Sequence, residues 1–127
     1  YGRFVNIIST SVREPIAGLG VSNTTRGAVA SWAKTLSKEL GPAAITINSV
    51  LPGFTDTARL TQLMAKRAET QGTTPEQVKE SWIQSIPLAR LARAEEIGSA
   101  VAFLCSPAAA YITGVCLPVD GGRLNVI

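Results

Sequence analysis

Histidine is absent from the chain and cysteine occurs only twice, at Cys105 and Cys116, each within an apolar run. Such cysteines do not suggest a disulfide framework or a metal site, and a reduced, cytoplasmic setting is the expectation. Charged residues are sparse, at 17%, with twelve Lys and Arg against nine Asp and Glu. The basic residues are scattered from Arg3 to Arg123, so the charge of +3 comes without the clustered tract that nucleic acid requires. No apolar run reaches bilayer-spanning length, and the first residues lack the charged, apolar and cleavable parts of a signal peptide. Repeats are missing too. The chain opens directly on "YGRFVNIIS", a buried-strand pattern with almost no lead-in, which reads as a cut from something longer.

What remains is a balance of 46% hydrophobic residues over 127 positions, enough for one core and for one domain or part of one. Phe4 to Ile8 is a short, β-branched apolar run, as expected of a parallel strand covered on both faces. After Pro15, Gly18 and Gly20 comes a helical pattern in which Val29, Trp32, Ala33, Leu36 and Leu40 recur every three or four residues, closed by Gly41 and Pro42. Ile45 to Leu51 is a second strand, ended by Pro52 and Gly53. The polar stretch from about 55 to 85 predicts two short helices and is the segment expected to move; Thr74 and Gln77 have capping-box spacing around Pro75. A further helix starts near Ala94, with Glu95 and Glu96 against its N-terminal dipole, and stops at Pro107. The last strand, Gly114 to Val119, contains Pro118, which implies an edge position or a missing ladder bond. Strands alternating with helices make an open α/β sheet.

Open sheets of this kind bind ligands beyond the carboxyl ends of their strands. Three exits qualify: Ser9 to Ser11, Pro52 to Thr57, and Asp120 to Gly122. Four segments, "GRFVNIIS", "INSVLPGFTDT", "RLARAEEIGSAVAFLCS" and "YITGVCLPVDGG", resemble in order and spacing the C-terminal half of a classical short-chain dehydrogenase/reductase, most of all the 3-oxoacyl carrier-protein reductase type. The resemblance implies half of a doubly wound, Rossmann-like parallel sheet, three strands with crossover helices, as a single partial domain over residues 1–127. The dinucleotide-binding half, with its Gly-rich turn and an active-site asparagine, would lie outside it. It also implies hydride transfer between NAD or NADP and a small-molecule carbonyl or alcohol, and a homo-oligomer, dimer or tetramer, in which the helix near Ser22 packs on its mate through Ala28, Trp32 and Leu36.

Carried over by position, Ser9 falls on the family's catalytic serine. Ser22 and Arg26 fall on the tyrosine and lysine of Tyr-x-x-x-Lys, so both are replaced. Pro52, Gly53, Phe54 and Thr57 match the loop that meets the nicotinamide amide and the pyrophosphate, where a backbone N–H and a hydroxyl suit the acceptors. Arg26 keeps a cation and a fork of donors able to hold ribose hydroxyls, yet its pKa above about 12 takes it out of any proton relay. An aliphatic hydroxyl is far less acidic than a phenol of pKa about 10, and reaches less far.

Plainer readings stand beside these. Ser22, Asn23, Thr24 and Thr25 are all ordinary N-cap residues for the helix that follows. The hydroxyls at Ser9 to Ser11 suit a solvated loop, Thr55 and Asp56 suit a turn, and Asp120 with two glycines suits another. "GLG" at Gly18 to Gly20 lacks the third glycine of a phosphate loop and reads as a turn. Tyr111, as a substitute acid, competes with a packing role; Trp32 and Trp82 read as core or interface residues. Two functions therefore stay open: an oxidoreductase with an altered proton donor, and an inactive or self-associating relative.

Overall fold

The computed structural model describes residues 1–127, and its organising element is the strand β2, Ile45–Pro52. Six of its eight residues are buried, and Ile47, Asn48, Ser49, Val50 and Leu51 are all but inaccessible. Polar Asn48 is tolerated there because both ends of its amide are used: Nδ2 donates to the Ile112 carbonyl at 2.9 Å and Oδ1 accepts from the Val115 N–H at 3.2 Å.

Two further strands flank β2, both parallel to it. β1, Gly2–Ile7, runs from Gly2 opposite Ile45 to Ile7 opposite Val50, and β3, Cys116–Val119, from Cys116 opposite Ser49 to Val119 opposite Pro52. The order β1-β2-β3 leaves Pro118 on an edge strand, as expected of a residue with no N–H to donate. β3 is shorter than the sequence pattern, because Gly114 turns through φ 72° before the ladder begins.

β1 departs from expectation. It is not covered on both faces: Phe4 is 52% and Ile7 61% exposed. For Phe4, on the face opposite Val5, the cause is the landing place of the first helix, α1, Gly20–Glu39, which packs on β2 and on the turn at Thr10–Val12. β1 is also bonded along one edge only.

The opposite face of the sheet is covered by α4, Ala94–Cys105, where Val50, Ile97, Leu104 and Ala109 form a cluster joined by Val5 and Leu117. Each fully buried aliphatic side chain of this kind contributes roughly 1.5–3 kcal/mol. Between β2 and α4 lie α2, Ala58–Gln71, and α3, Pro75–Gln84. They close on each other through Leu60, Met64, Ala68 and Val78. Gly72, at φ 63°, ends α2 in the left-handed conformation, and the Thr74–Gln77 capping box starts α3 as its spacing predicts. Cys105 and Cys116 are free thiols, and no helix is long and apolar enough to cross a membrane.

Candidate functional site

All three strands run the same way, so their carboxyl ends share one edge of the sheet, and each exit carries residues singled out above. At the first exit Ser9 is extended, and its hydroxyl accepts from the Ser11 N–H at 3.1 Å, capping the short turn beyond it. The hydroxyl proton remains free to donate. Thr10 and Ser11 are buried beneath it.

Ser22 is not the cap of α1. The helix begins two residues earlier, at Gly20, and its cap position is Leu19, which offers no side-chain acceptor. Asn23 does the anchoring instead: its Oδ1 accepts from the Ile16 N–H at 3.4 Å and its Nδ2 donates to the Ile16 carbonyl at 2.9 Å, fixing the incoming loop to the first turn. Ser22 is thereby free for another partner, and that partner is Arg26. The Arg26 Nη1 donates to the Ser22 hydroxyl, and its Nε donates to the Ile8 carbonyl at 3.3 Å. One turn of helix is thus stapled to the residue immediately before Ser9, which draws Ser9, Ser22 and Arg26 into one neighbourhood.

At the second exit, Gly53 donates to the Val119 carbonyl at 3.0 Å and passes so close to β3 that a Cβ on it would lie 2.8 Å from the Asp120 Cα. Only a glycine fits there. The next two amide groups, of Phe54 and Thr55, have no acceptor within the chain. Thr57 caps α2, its hydroxyl accepting from the Leu60 N–H at 3.2 Å, which leaves its proton to donate. Free N–H groups beside the positive end of a helix suit an anionic or amide ligand. The Phe54 ring is otherwise engaged. It stacks on Trp82 with centroids 4.6 Å apart and planes 2° from parallel, joining the α2–α3 core.

The third exit holds what sequence reasoning missed. Asp120 folds the chain back by accepting from the N–H groups of Gly122 at 3.0 Å and Leu124 at 2.8 Å. Arg123 then lies 4.6 Å over the Phe54 ring, and its Nη1 reaches the Thr10 hydroxyl at 3.4 Å. Its position directly after "DGG" is the one signal the sequence carried.

Neither tyrosine of the chain stands at this carboxyl edge. Tyr1 precedes β1, at the amino end of the sheet. Tyr111 is fully exposed and leads into a segment whose Thr113 and Gly114 bond to Ile47, early in β2. Close to the second exit a small cavity of about 90 Å³ is lined by Phe54, Ala92, Val119 and Asp120, with Arg90 and Glu96 on its wall. Arg90 grips both Glu96 oxygens at 2.7 Å, and Glu96 also accepts from the Arg93 N–H at 2.8 Å. The Arg90 hydrogen bonds, helped by the Arg93 N–H, hold the Glu96 carboxyl at about 2.

This arrangement, a parallel sheet with a serine, an i,i+4 pair and a Pro-Gly turn at its carboxyl edge, is that of an open, parallel α/β fold with its candidate site at the strand exits. Comparison with known proteins gives the family. The family model described as Enoyl-(Acyl carrier protein) reductase matches residues 1–123. The 3-oxoacyl-(acyl-carrier-protein) reductase FabG of Pseudomonas aeruginosa is 38% identical over 122 residues, covering 96% of this chain and 45% of FabG. The NADPH-dependent reductase BacG of Bacillus subtilis is 32% identical over 127 residues, 100% of this chain and 49% of BacG. Among solved structures, YwfH, an NADPH-dependent reductase involved in bacilysin biosynthesis, superposes with a TM-score of 0.93 at 32% identity, over 100% of this chain and 48% of its own. The chain belongs to the short-chain dehydrogenase/reductase family, and it spans about half the length of the curated relatives it matches.

Proposed function

We propose that the protein takes part in nicotinamide-dependent reduction of a small carbonyl compound, or oxidation of the alcohol, with a proton path altered at Ser22 and Arg26. The observation that carries this reading is the Pro52–Thr57 turn. Its unpaired Phe54 and Thr55 N–H groups, its capped helix and its glycine-only approach to Asp120 make a cradle for a bound dinucleotide. FabG, BacG and YwfH are reductases by name, and a 3-ketoacyl reductase from Brucella melitensis, 37% identical with a TM-score of 0.78, was solved with NADH. Either NAD or NADP suits the residues present.

In this reading the Ser9 hydroxyl, whose proton is free, donates to the substrate oxygen. Arg26 spends Nε on Ile8 and Nη1 on Ser22, and its Nη2 remains for ribose hydroxyls. The bound reduced nicotinamide supplies the hydride. Ser22 accepts from a guanidinium and orients rather than protonates, so the proton on the new alcohol comes from water. The α2–α3 pair, joined to the Pro-Gly turn through the Phe54–Trp82 stack, covers the substrate as a mobile lid. The cytoplasm is the proposed setting, and the exposed side of α1, where Trp32 is 50% accessible, is the proposed contact in a homodimer or tetramer.

A binding-only role is favoured by one observation: the Ser22 oxygen is taken by Arg26 and no phenol stands near Ser9. Mixing the purified protein with NADH or NADPH and a panel of acetoacetyl esters, diketones and sugar lactones separates the readings. Oxidation of the nicotinamide, read by absorbance, supports the enzyme. Enhanced nicotinamide fluorescence without oxidation supports the binding-only protein, and neither signal rejects both.

A further inference from the structure

We propose that Arg123 is a specificity-determining residue, a receptor for an anionic group, carboxylate or phosphate, carried by the carbonyl or alcohol substrate. The inference rests on the oxidoreductase reading and names the substrate class.

The first argument is position. Arg123 belongs to the third strand exit, lies over the Phe54 ring of the second and donates to Thr10 of the first. Arg26 bonds the carbonyl of Ile8, and Arg123 the hydroxyl of Thr10, so the residues just before and just after Ser9 each hold a guanidinium. Arg26 is engaged through two of its nitrogens; Arg123 is not.

The second argument is charge. Every ion pair in the chain converges on Glu96, from Arg90 and Arg93. Arg123 has no carboxylate within 4.0 Å. In the same turn the two Asp120 oxygens accept from the Gly122 and Leu124 N–H groups, and Glu14 Oε1 accepts from the Asn125 N–H at 2.9 Å. A half-buried guanidinium with five donors therefore has a single neutral hydroxyl acceptor at 3.4 Å. Partial desolvation of a charge without an acceptor is unfavourable, and a planar donor fork is suited to carboxylate or phosphate oxygens. The Phe54 ring beneath it holds the plane in place without using any donor.

The test compares matched substrates: a keto acid, its methyl ester and the corresponding keto phosphate, each followed by nicotinamide oxidation and by calorimetric binding without nicotinamide. The acid or the phosphate should have the lower KM and Kd. Arg123→Gln should raise both for the anions by about 10- to 100-fold, the range of a hydrogen bond to a charged group, and by much less for the ester, so that the preference for the anion is lost. Arg123→Lys, which keeps the charge and the packing of the stem, should restore part of the preference and guards against a merely displaced tail. The ratio of acid to phosphate tells which anion the site takes. Equal handling of acid and ester by the unaltered protein, or a uniform loss for both in Arg123→Gln, overturns the proposal while ketone reduction stands. Arg123-dependent anion binding with no oxidation of either nicotinamide supports the anion site and rejects the oxidoreductase reading instead.

Discussion

Arg26 donates to the hydroxyl of Ser22 one helical turn before it, and a second bond, from Arg26 Nε to the Ile8 carbonyl, ties this pair to the end of β1. The pair therefore fixes the first turns of α1 to a strand exit, and the proposed altered proton path rests on its chemistry. A guanidinium stays charged, and a serine hydroxyl that accepts from it has no accessible ionisation near neutrality.

The first prediction follows. Replacing both residues together, Ser22→Tyr with Arg26→Lys, should raise nicotinamide-dependent turnover by at least about tenfold, since a positioned general acid contributes roughly 10²–10⁴-fold. Steady-state kinetics on a ketone that the unaltered protein reduces measures it. An unchanged or lower kcat in a folded double variant would falsify the altered-proton-path argument.

Asn23 and Ser22 should differ sharply in stability. Asn23→Ala removes two bonds to the Ile16 backbone and leaves that N–H and carbonyl without their partner, at a cost of about 1–2 kcal/mol. Ser22→Ala removes no cap and improves helix propensity, so its effect should stay within about 0.5 kcal/mol. Urea titrations of the two variants make the comparison, and equal losses would restore Ser22 as the cap.

The same two residues show how far the sequence could be read. Periodicity and punctuation were enough for the order of strands and helices, because each depends on neighbours within a turn or two: the Thr74–Gln77 box, the stop at Gly41–Pro42 and the edge position of Pro118 are local. What was not legible depends on distant partners. Four cap-forming residues stood in a row from Ser22 to Thr25, and only the contact of Asn23 with Ile16, seven residues back, decides where α1 begins. The exposure of Phe4 follows from α1 landing on β2. Arg123 joins the site because Asp120 turns the chain back on itself, bringing residue 123 to residue 10. The Ser9, Pro52 and Gly53 positions were legible because they end strands, and strand ends share an edge in any parallel sheet.

Gly53→Ala tests the close approach of the second and third exits. The added methyl would lie 2.8 Å from both the Cα and the Cβ of Asp120, so backbone must shift on one side or the other. Strain of that kind costs about 1–3 kcal/mol. Thermal unfolding should show the loss, and nicotinamide binding should weaken with it, because the displaced turn carries the free N–H groups of Phe54 and Thr55. A variant as stable as the parent protein would mean that the turn is looser than its geometry implies.

Acid stability provides the last prediction. Glu96 has its carboxyl lowered from 4.5 to about 2, first by the hydrogen bonds from Arg90 and then by the Arg93 N–H. A carboxyl depressed in the folded state contributes stability that is fully present above the unfolded value and is lost as pH falls through the folded one. The contribution should therefore be intact above about pH 5, mostly lost by about pH 2 and absent below it. Melting temperatures across that window should fall less steeply for Glu96→Gln than for the unaltered protein, with the two curves meeting at the acid end. Because the pair lies at the surface, raising the salt concentration should narrow the gap between them. The slope matters beyond stability: Arg90, Ala92 and Glu96 line the cavity beside Phe54 and Asp120, and Glu96 ties down Arg90 and the Arg93 N–H, so its protonation should loosen that wall. Parallel curves for the two proteins throughout the window would assign the acid sensitivity to another group and remove that link.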